Sequence, residues 1–263
     1  MNFSDRNLGR REVAGFAAVG VIAFLAIWYA AVWSGVTPRK FLPTPLEVLS
    51  ELYRLSVEPF VGYTLLEHLV SSFKRFFYGF SLAVTIATPL GLLMAISKPV
   101  RVVVSPIFES IRFVAPIAWV PFAALWFGTG IGGPLLVIFM GAFPPMLINS
   151  FRGALYVDRK YLEAAQMLGA GPVRQMTEVL LPAAAPSIVA GLRISAGLGW
   201  QSLVGAELIV ASSGVGYMMV KGQAGIQTAT VMSGMIAIGL VGLIIDFSLR
   251  QLERRMGRYK ETY

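Results

Sequence analysis

From Phe113 to Phe151 the chain runs for 39 residues without an Asp, Glu, Lys or Arg. In a sequence that is 56% hydrophobic and 14% charged, a stretch of that length is too apolar for the surface of a soluble domain. About 20 apolar residues cross a bilayer core, so the run is long enough for two crossings if something turns the chain inside it. Gly128-Thr129-Gly130-Ile131-Gly132-Gly133-Pro134 is such a break. Phe113 to Phe127 alone is too short to span, so the span before the break must begin near Val102 and carry Glu109 and Arg112 within it.

The same reasoning along the chain gives spans at Gly15–Trp33, Phe76–Ile96, Val102–Phe127, Pro134–Phe151, Pro186–Ala211 and Gly225–Ile245. The expected fold is an all-α polytopic membrane protein of about six spans, with no internal repeat. The apolar run after Arg6, Arg10 and Arg11 extends from Val13 to Pro38, too long for a cleaved leader, and reads as a retained first span. The connector from Val36 to Leu66 is rich in proline and should hold a short helix near Leu46 to Leu55. Ser212 to Gln223 reads as a loop into the last span.

Lys and Arg exceed Asp and Glu by 8, and in a chain of this kind the excess reports topology before it suggests nucleic acid. With both termini cytoplasmic, fourteen of the 22 basic residues fall on inner segments, Arg152, Arg159, Lys160 and Arg174 among them. Lys74 and Arg75 sit at the start of the second span, where they are expected to snorkel. There is no Cys, and His68 is the one His, which leaves little for a metal centre.

The segment between the fourth and fifth spans carries the most specific pattern. Asp158 is placed to cap a short helix, Gly169 to end it in a left-handed conformation, and Pro172 to start another. Pro182 and Pro186 are expected to break that second helix before the fifth span. Glu163-Ala164-Ala165, Gly169, Val179, Leu181 and Pro182 resemble the loop by which permease subunits of binding-protein-dependent ABC importers hold their ATPase, with Val179 where Ile is commoner. Arg112-Phe-Val-Ala-Pro-Ile-Ala-Trp-Val-Pro-Phe, Gly191-Leu-Arg-Ile-Ser-Ala-Gly-Leu-Gly-Trp200, Ala206-Glu-Leu-Ile209 and Gly214-Val-Gly-Tyr-Met218 narrow the resemblance to the taurine, alkanesulfonate, nitrate and bicarbonate group.

The resemblance implies the transmembrane domain of a type I importer with a cytoplasmic coupling helix. The chain then divides into residues 1–66, a core at 67–249 containing the coupling loop 152–182, and a basic tail at 250–263. It further implies a bacterial inner-membrane assembly with a second permease copy, two cytoplasmic ATPases and an external solute-binding protein. Coupling to the ATPase would fall to Tyr161, Glu163, Ala164, Ala165, Leu168, Gly169, Ala170 and Pro172. The chain would bind no cofactor itself: it has no Gly-x-x-x-x-Gly-Lys-Ser/Thr loop, and ATP and Mg would be held by the partner. An amphipathic helix resting on headgroups is the plainer alternative for this loop.

Charges at membrane depth require partners or water. Glu109 and Arg112 share a helix face, and a contact from Glu109 to Arg193 is conceivable, whereas Arg193 and Glu207 on the fifth span are about 21 Å apart and cannot pair. These four sum to zero charge and read first as structural pairs, with Arg112 or Arg193 as an attraction for a passing anion as the sharper reading. Ser195, Gly197, Gly199 and Ser202 form a small-residue face suited to close packing. A stand-alone secondary carrier or channel is the main rival function, and it would not need the Glu163 to Pro182 loop. A Ser/His protease is a poor third, because nothing in the sequence activates a serine near His68.

Overall fold

The computed structural model describes residues 9–257 apart from 36, 37, 39 and 129; Arg6, Arg39, Arg258 and Lys260 of the charge pattern lie outside the described residues. The chain folds into α1 (Arg10–Trp33), α2 (Pro45–Val57), α3 (Leu65–Ile96), α4 (Lys98–Ile111), α5 (Val120–Phe127), α6 (Gly132–Leu155), α7 (Arg159–Met167), α8 (Pro172–Arg174), α9 (Leu181–Val210), α10 (Val215–Ala224) and α11 (Thr228–Gly257). Among the described residues, five segments are long and apolar enough to cross a membrane, and α4 with α5 makes a sixth if a bent pair is counted as one.

The bundle is built on α6, which packs between α3 and α9. Helices in lipid gain no hydrophobic free energy from meeting one another, so close approach at small residues carries the packing. A Cβ added at Gly91 of α3 would lie 2.8 Å from Cβ of Ser150 on α6, and one at Gly191 of α9 would lie 2.7 Å from Cβ of Asn149. Both backbones therefore run too near α6 for any larger residue. Ala87, Leu92, Met146, Leu147 and Ala184 close around this seam.

Several elements depart from the sequence expectation. The second span begins at Leu65 and not near Phe76, because Thr64 and Glu67 form a reciprocal cap that starts the helix earlier. Arg75 consequently lies inside the helix and is buried, where snorkelling was expected. The third span is not one helix from Val102 to Phe127: α4 ends at Ile111, and a 3₁₀ turn over Pro116–Trp119 leads into α5 at 89° to it. Pro116 and Pro121 remove donors and fix the backbone at the corner, which places Glu109 and Arg112 beside the bend.

Pro182 and Pro186 do not end the helix before the fifth span. α8 continues through a π-helical segment, Gln175–Leu180, directly into α9. A proline in a regular α-helix collides with the carbonyl four residues back, and the wider π turns just ahead of Pro182 relieve that contact. The segment expected as a loop at Ser212 to Gln223 contains α10, whose Val215, Gly216, Met218 and Gly222 are buried.

Candidate functional site

At one end of the bundle α7 and α8 form a helix, turn and helix. Asp158 caps α7 by accepting from the Lys160 amide at 3.0 Å. At the other end Gly169 has φ +78°, its amide donates to the Gln166 carbonyl, and the Ala170 amide donates to the Ala165 carbonyl, both at 2.9 Å. That pair of bonds is a Schellman turn, which requires the left-handed conformation glycine adopts without cost. Gln175 fixes the turn against the next helix, its side-chain amide donating to the Ala170 carbonyl at 2.7 Å.

Leu162 seats α7 on the core formed by Leu92, Phe108 and Leu180. With that face down, Tyr161, Glu163, Ala164, Leu168, Gly169 and Pro172 are exposed, while Ala165 and Ala170 are half-buried. Two apolar side chains at the turn, Met167 at 90% and Leu168 at 87% exposure, have nothing among the described residues covering them, and Val173 beside them is also exposed. Met167 and Val173 were not singled out in the sequence; the exposure of Met167 follows from which face of α7 Leu162 turns inward. Glu163 also borders a cavity of about 370 Å³ shared with Arg101, Gln166 and Gln175. Arg101 holds the adjacent end of α3, donating from Nε to the Met94 carbonyl and from Nη2 to the Ala95 carbonyl at 2.8 Å each.

A second cavity, of about 320 Å³, opens where the 3₁₀ turn, α6 and α9 meet. Its polar lining is Arg112, Gln201 and Ser202. Pro144 and Pro145 also line it; having no N–H, they leave the Met140 and Gly141 carbonyls without their regular helical donors. Arg112 donates from Nε to Glu109 Oε2 at 2.5 Å and lies over the Phe113 ring at 4.5 Å. Its two terminal amino groups have no hydrogen-bond partner among the described residues, so they remain available to an anion in the cavity.

The other two charges are elsewhere. Arg193 pairs with Asp246 at 2.6 Å and Glu253 at 3.2 Å, joining α9 to α11, and the conceivable contact to Glu109 is not made. Glu207, buried, pairs with Arg75 across 132 residues of sequence at 2.8 Å. Ser72 donates to both Glu207 oxygens at 2.8 Å, and the Gly216 amide at the start of α10 adds a bond at 3.0 Å. His68 completes this cluster: its Nε2 donates to the Phe60 carbonyl at 3.1 Å and its Nδ1 accepts from the Gly214 amide at 3.2 Å. Arg75 and Asp246, neither of which the sequence marked as a partner, are the partners that Glu207 and Arg193 take in this fold.

The family described as binding-protein-dependent transport system inner membrane component matches residues 87–258. The taurine transport system permease protein TauC of Escherichia coli is 34% identical over 241 residues, covering 91% of this chain and 88% of that protein. The putative aliphatic sulfonates transport permease protein SsuC of Bacillus subtilis is 36% identical, covering 91% and 85%. The bicarbonate transport system permease protein CmpB of Synechococcus elongatus is 31% identical, covering 89% and 86%. Among solved structures, a chain of the MetNI methionine ABC transporter superposes with a TM-score of 0.64 at 19% identity, covering 73% of this chain and 95% of that one, a likeness of fold.

Proposed function

Because this chain belongs to the family of binding-protein-dependent transport inner membrane components and is a permease subunit of an ATP-driven importer, we propose that it conducts a small anion and is driven through the α7–α8 turn. The observation that carries this reading is the turn itself: a rigid, doubly bonded Schellman cap presents Glu163, Met167 and Leu168 at the end of a bundle where nothing among the described residues covers them. An ATPase cleft is the partner such a surface fits, and it is also what separates this chain from a stand-alone carrier. Because α8 runs through the π segment into α9 without a break, a movement of the turn would be delivered to the lining of the Arg112 cavity as a displacement of one long helix. In this reading α7 faces the cytoplasm with both termini, residues 67–249 form the transporting core, and two permease copies share the pathway between two ATPases that bind ATP and Mg. A solute-binding protein delivers the solute from outside.

The solute class rests on the cavity. Arg112, with two amino groups unpartnered among the described residues, lines with Gln201 and Ser202 a volume of about 320 Å³, which suits a sulfonate or bicarbonate, the solutes named for the relatives. Glu109 keeps Arg112 partly neutralised, so the anion is held weakly enough to leave. The test is reconstitution with a partner ATPase and solute-binding protein, followed by uptake of labelled taurine, an alkanesulfonate and bicarbonate. ATP-dependent accumulation of one of them supports the reading; uptake by the chain alone, without ATPase, contradicts it.

A further inference from the structure

Helix α2 is amphipathic in an unusual way, because its surface divides into three sectors. At 100° per residue, Val48, Leu52 and Leu55 turn toward one side, where Val48 is buried and Leu52 and Leu55 pack with Val215 and Met218 of α10 and Ala237 of α11. Glu47, Ser50 and Arg54 occupy a polar sector. Leu46, Leu49, Tyr53 and Val57 fall within an arc of about 80° on the remaining side and are 67, 57, 73 and 63% exposed. A short helix in water does not hold four large apolar side chains in one open stripe without something to cover them.

Two hydrogen bonds fix the level of α2 against the spans beside it. Trp28 of α1 donates from Nε1 to the Pro43 carbonyl at 3.0 Å, and Trp28 lies five residues before the helix ends at Trp33. Ser233 of α11 donates to the Val48 carbonyl at 3.1 Å, and Ser233 lies five residues after that helix starts at Thr228. At 1.5 Å per residue, both place α2 up to about 7.5 Å inside the ends of two membrane-spanning helices. With the ends of α1 and α11 taken as the level of the membrane surface, that matches the depth at which interfacial helices lie, between about 5 and 10 Å into the headgroup and acyl boundary. Exposed Trp33 and Phe41, on either side of the connector, are of the type that anchors at this level.

We propose that α2 is seated in the membrane surface, with Leu46, Leu49, Tyr53 and Val57 against lipid and Glu47, Ser50 and Arg54 toward water. The occupant of the apolar stripe is the bilayer, continuous with the lipid around α1, which is exposed along nearly its whole length. Seated in this way, α2 fixes the first turns of α11 and the buried face of α10 at a constant height in the bilayer, so the mouth of the bundle is registered to the membrane plane. The inference does not depend on which side of the membrane α2 occupies.

The chain has no Cys, so single-cysteine variants can be labelled without background. Spin labels at Leu49→Cys, Tyr53→Cys and Val57→Cys, and at Glu47→Cys and Ser50→Cys, are read in the full chain reconstituted into phosphatidylcholine and phosphatidylglycerol vesicles. Collision with oxygen relative to a water-soluble nickel chelate should be several-fold higher at positions 49, 53 and 57 than at 47 and 50. Equal ratios in the two sets would overturn the proposal by placing the stripe in water. Labels at 49 and 53 shielded from both agents would overturn it as well, by showing that protein covers the stripe. Three separate positions in the apolar sector allow a variant that fails to insert to be set aside.

Discussion

The Arg75 guanidinium donates to the Glu207 carboxylate at 2.8 Å, and both side chains are buried between α3, α9 and α10. The pair ties α3 to the far end of α9, and the Gly216 amide, donating to the same carboxylate, adds the start of α10. Val215 donates its amide to Ser72, which in turn donates to Glu207, and Gly214, at φ +106°, packs so closely that a Cβ there would collide with the carboxylate. An ion pair of this kind gains little over a well-packed apolar replacement, but removing one partner strands the other.

Arg75→Met should therefore destabilise the folded chain by about 3–5 kcal/mol. The double variant Arg75→Met/Glu207→Leu should recover most of that loss, since neither charge is then left alone. Thermal unfolding in detergent, followed by near-UV circular dichroism, gives the comparison; a double variant no better than the single one would show that the cluster does more than pair charges.

Gly169→Ala places a Cβ in the left-handed region at φ +78° and should cost about 1–2 kcal/mol in the turn. The bundle packs without this residue, so the spans should remain folded while ATPase co-purification falls. Glu163→Lys should produce the same loss of co-purification by reversing charge on the exposed face of α7. Normal retention of the ATPase by both variants would remove the turn from the coupling surface.

On α2, the Arg54 guanidinium beside Glu51 holds that carboxyl below its usual range, and Thr230 adds a hydrogen bond at 2.6 Å. A carboxyl whose folded pKa lies below its unfolded value stabilises the protein above the unfolded pKa, and the contribution is lost as pH falls through the folded one. Acidification below the ordinary carboxylate range should thus loosen α2 from α11, and Glu51→Gln should flatten that part of the stability profile. Identical acid profiles for the two proteins would count against the contact.

Arg112→Gln should leave assembly intact, because Arg112 pairs only with its neighbour on the same helix end, while lowering uptake of the anion through a raised apparent KM. Arg193→Gln should do the reverse, weakening the α9–α11 junction without altering solute preference. Uptake kinetics set beside size-exclusion profiles separate the two roles.

The apolar runs and the Glu163 to Pro182 pattern were legible because both are local: a span is a length of uncharged chain, and a helix, turn and helix is written by Asp158, Gly169 and Pro172. What the sequence hid was long-range. Arg75 stands at the flank of an apolar run, where a charge ordinarily reaches for the headgroups, and only the earlier start of α3 at Leu65 brings it inside, opposite a carboxylate 132 residues away. Asp246 falls just past the expected end of the last span, so Arg193 had no visible partner. The corner at Pro116 was hidden for a different reason, since span length depends on counting apolar residues and counting is blind to an 89° bend. Pro182 misled because a local rule, that proline ends helices, is overridden where π turns precede it.

The central claim is that solute movement through this chain is driven through the α7–α8 turn, and its most direct measurement is uptake into proteoliposomes holding this chain and its ATPase, with binding protein and labelled anion outside and ATP enclosed. The account predicts accumulation that requires both ATP and binding protein, and that is abolished by Glu163→Lys while the ATPase still hydrolyses ATP on its own. Uphill accumulation that persists in Glu163→Lys, or that proceeds with no ATPase present, would contradict it.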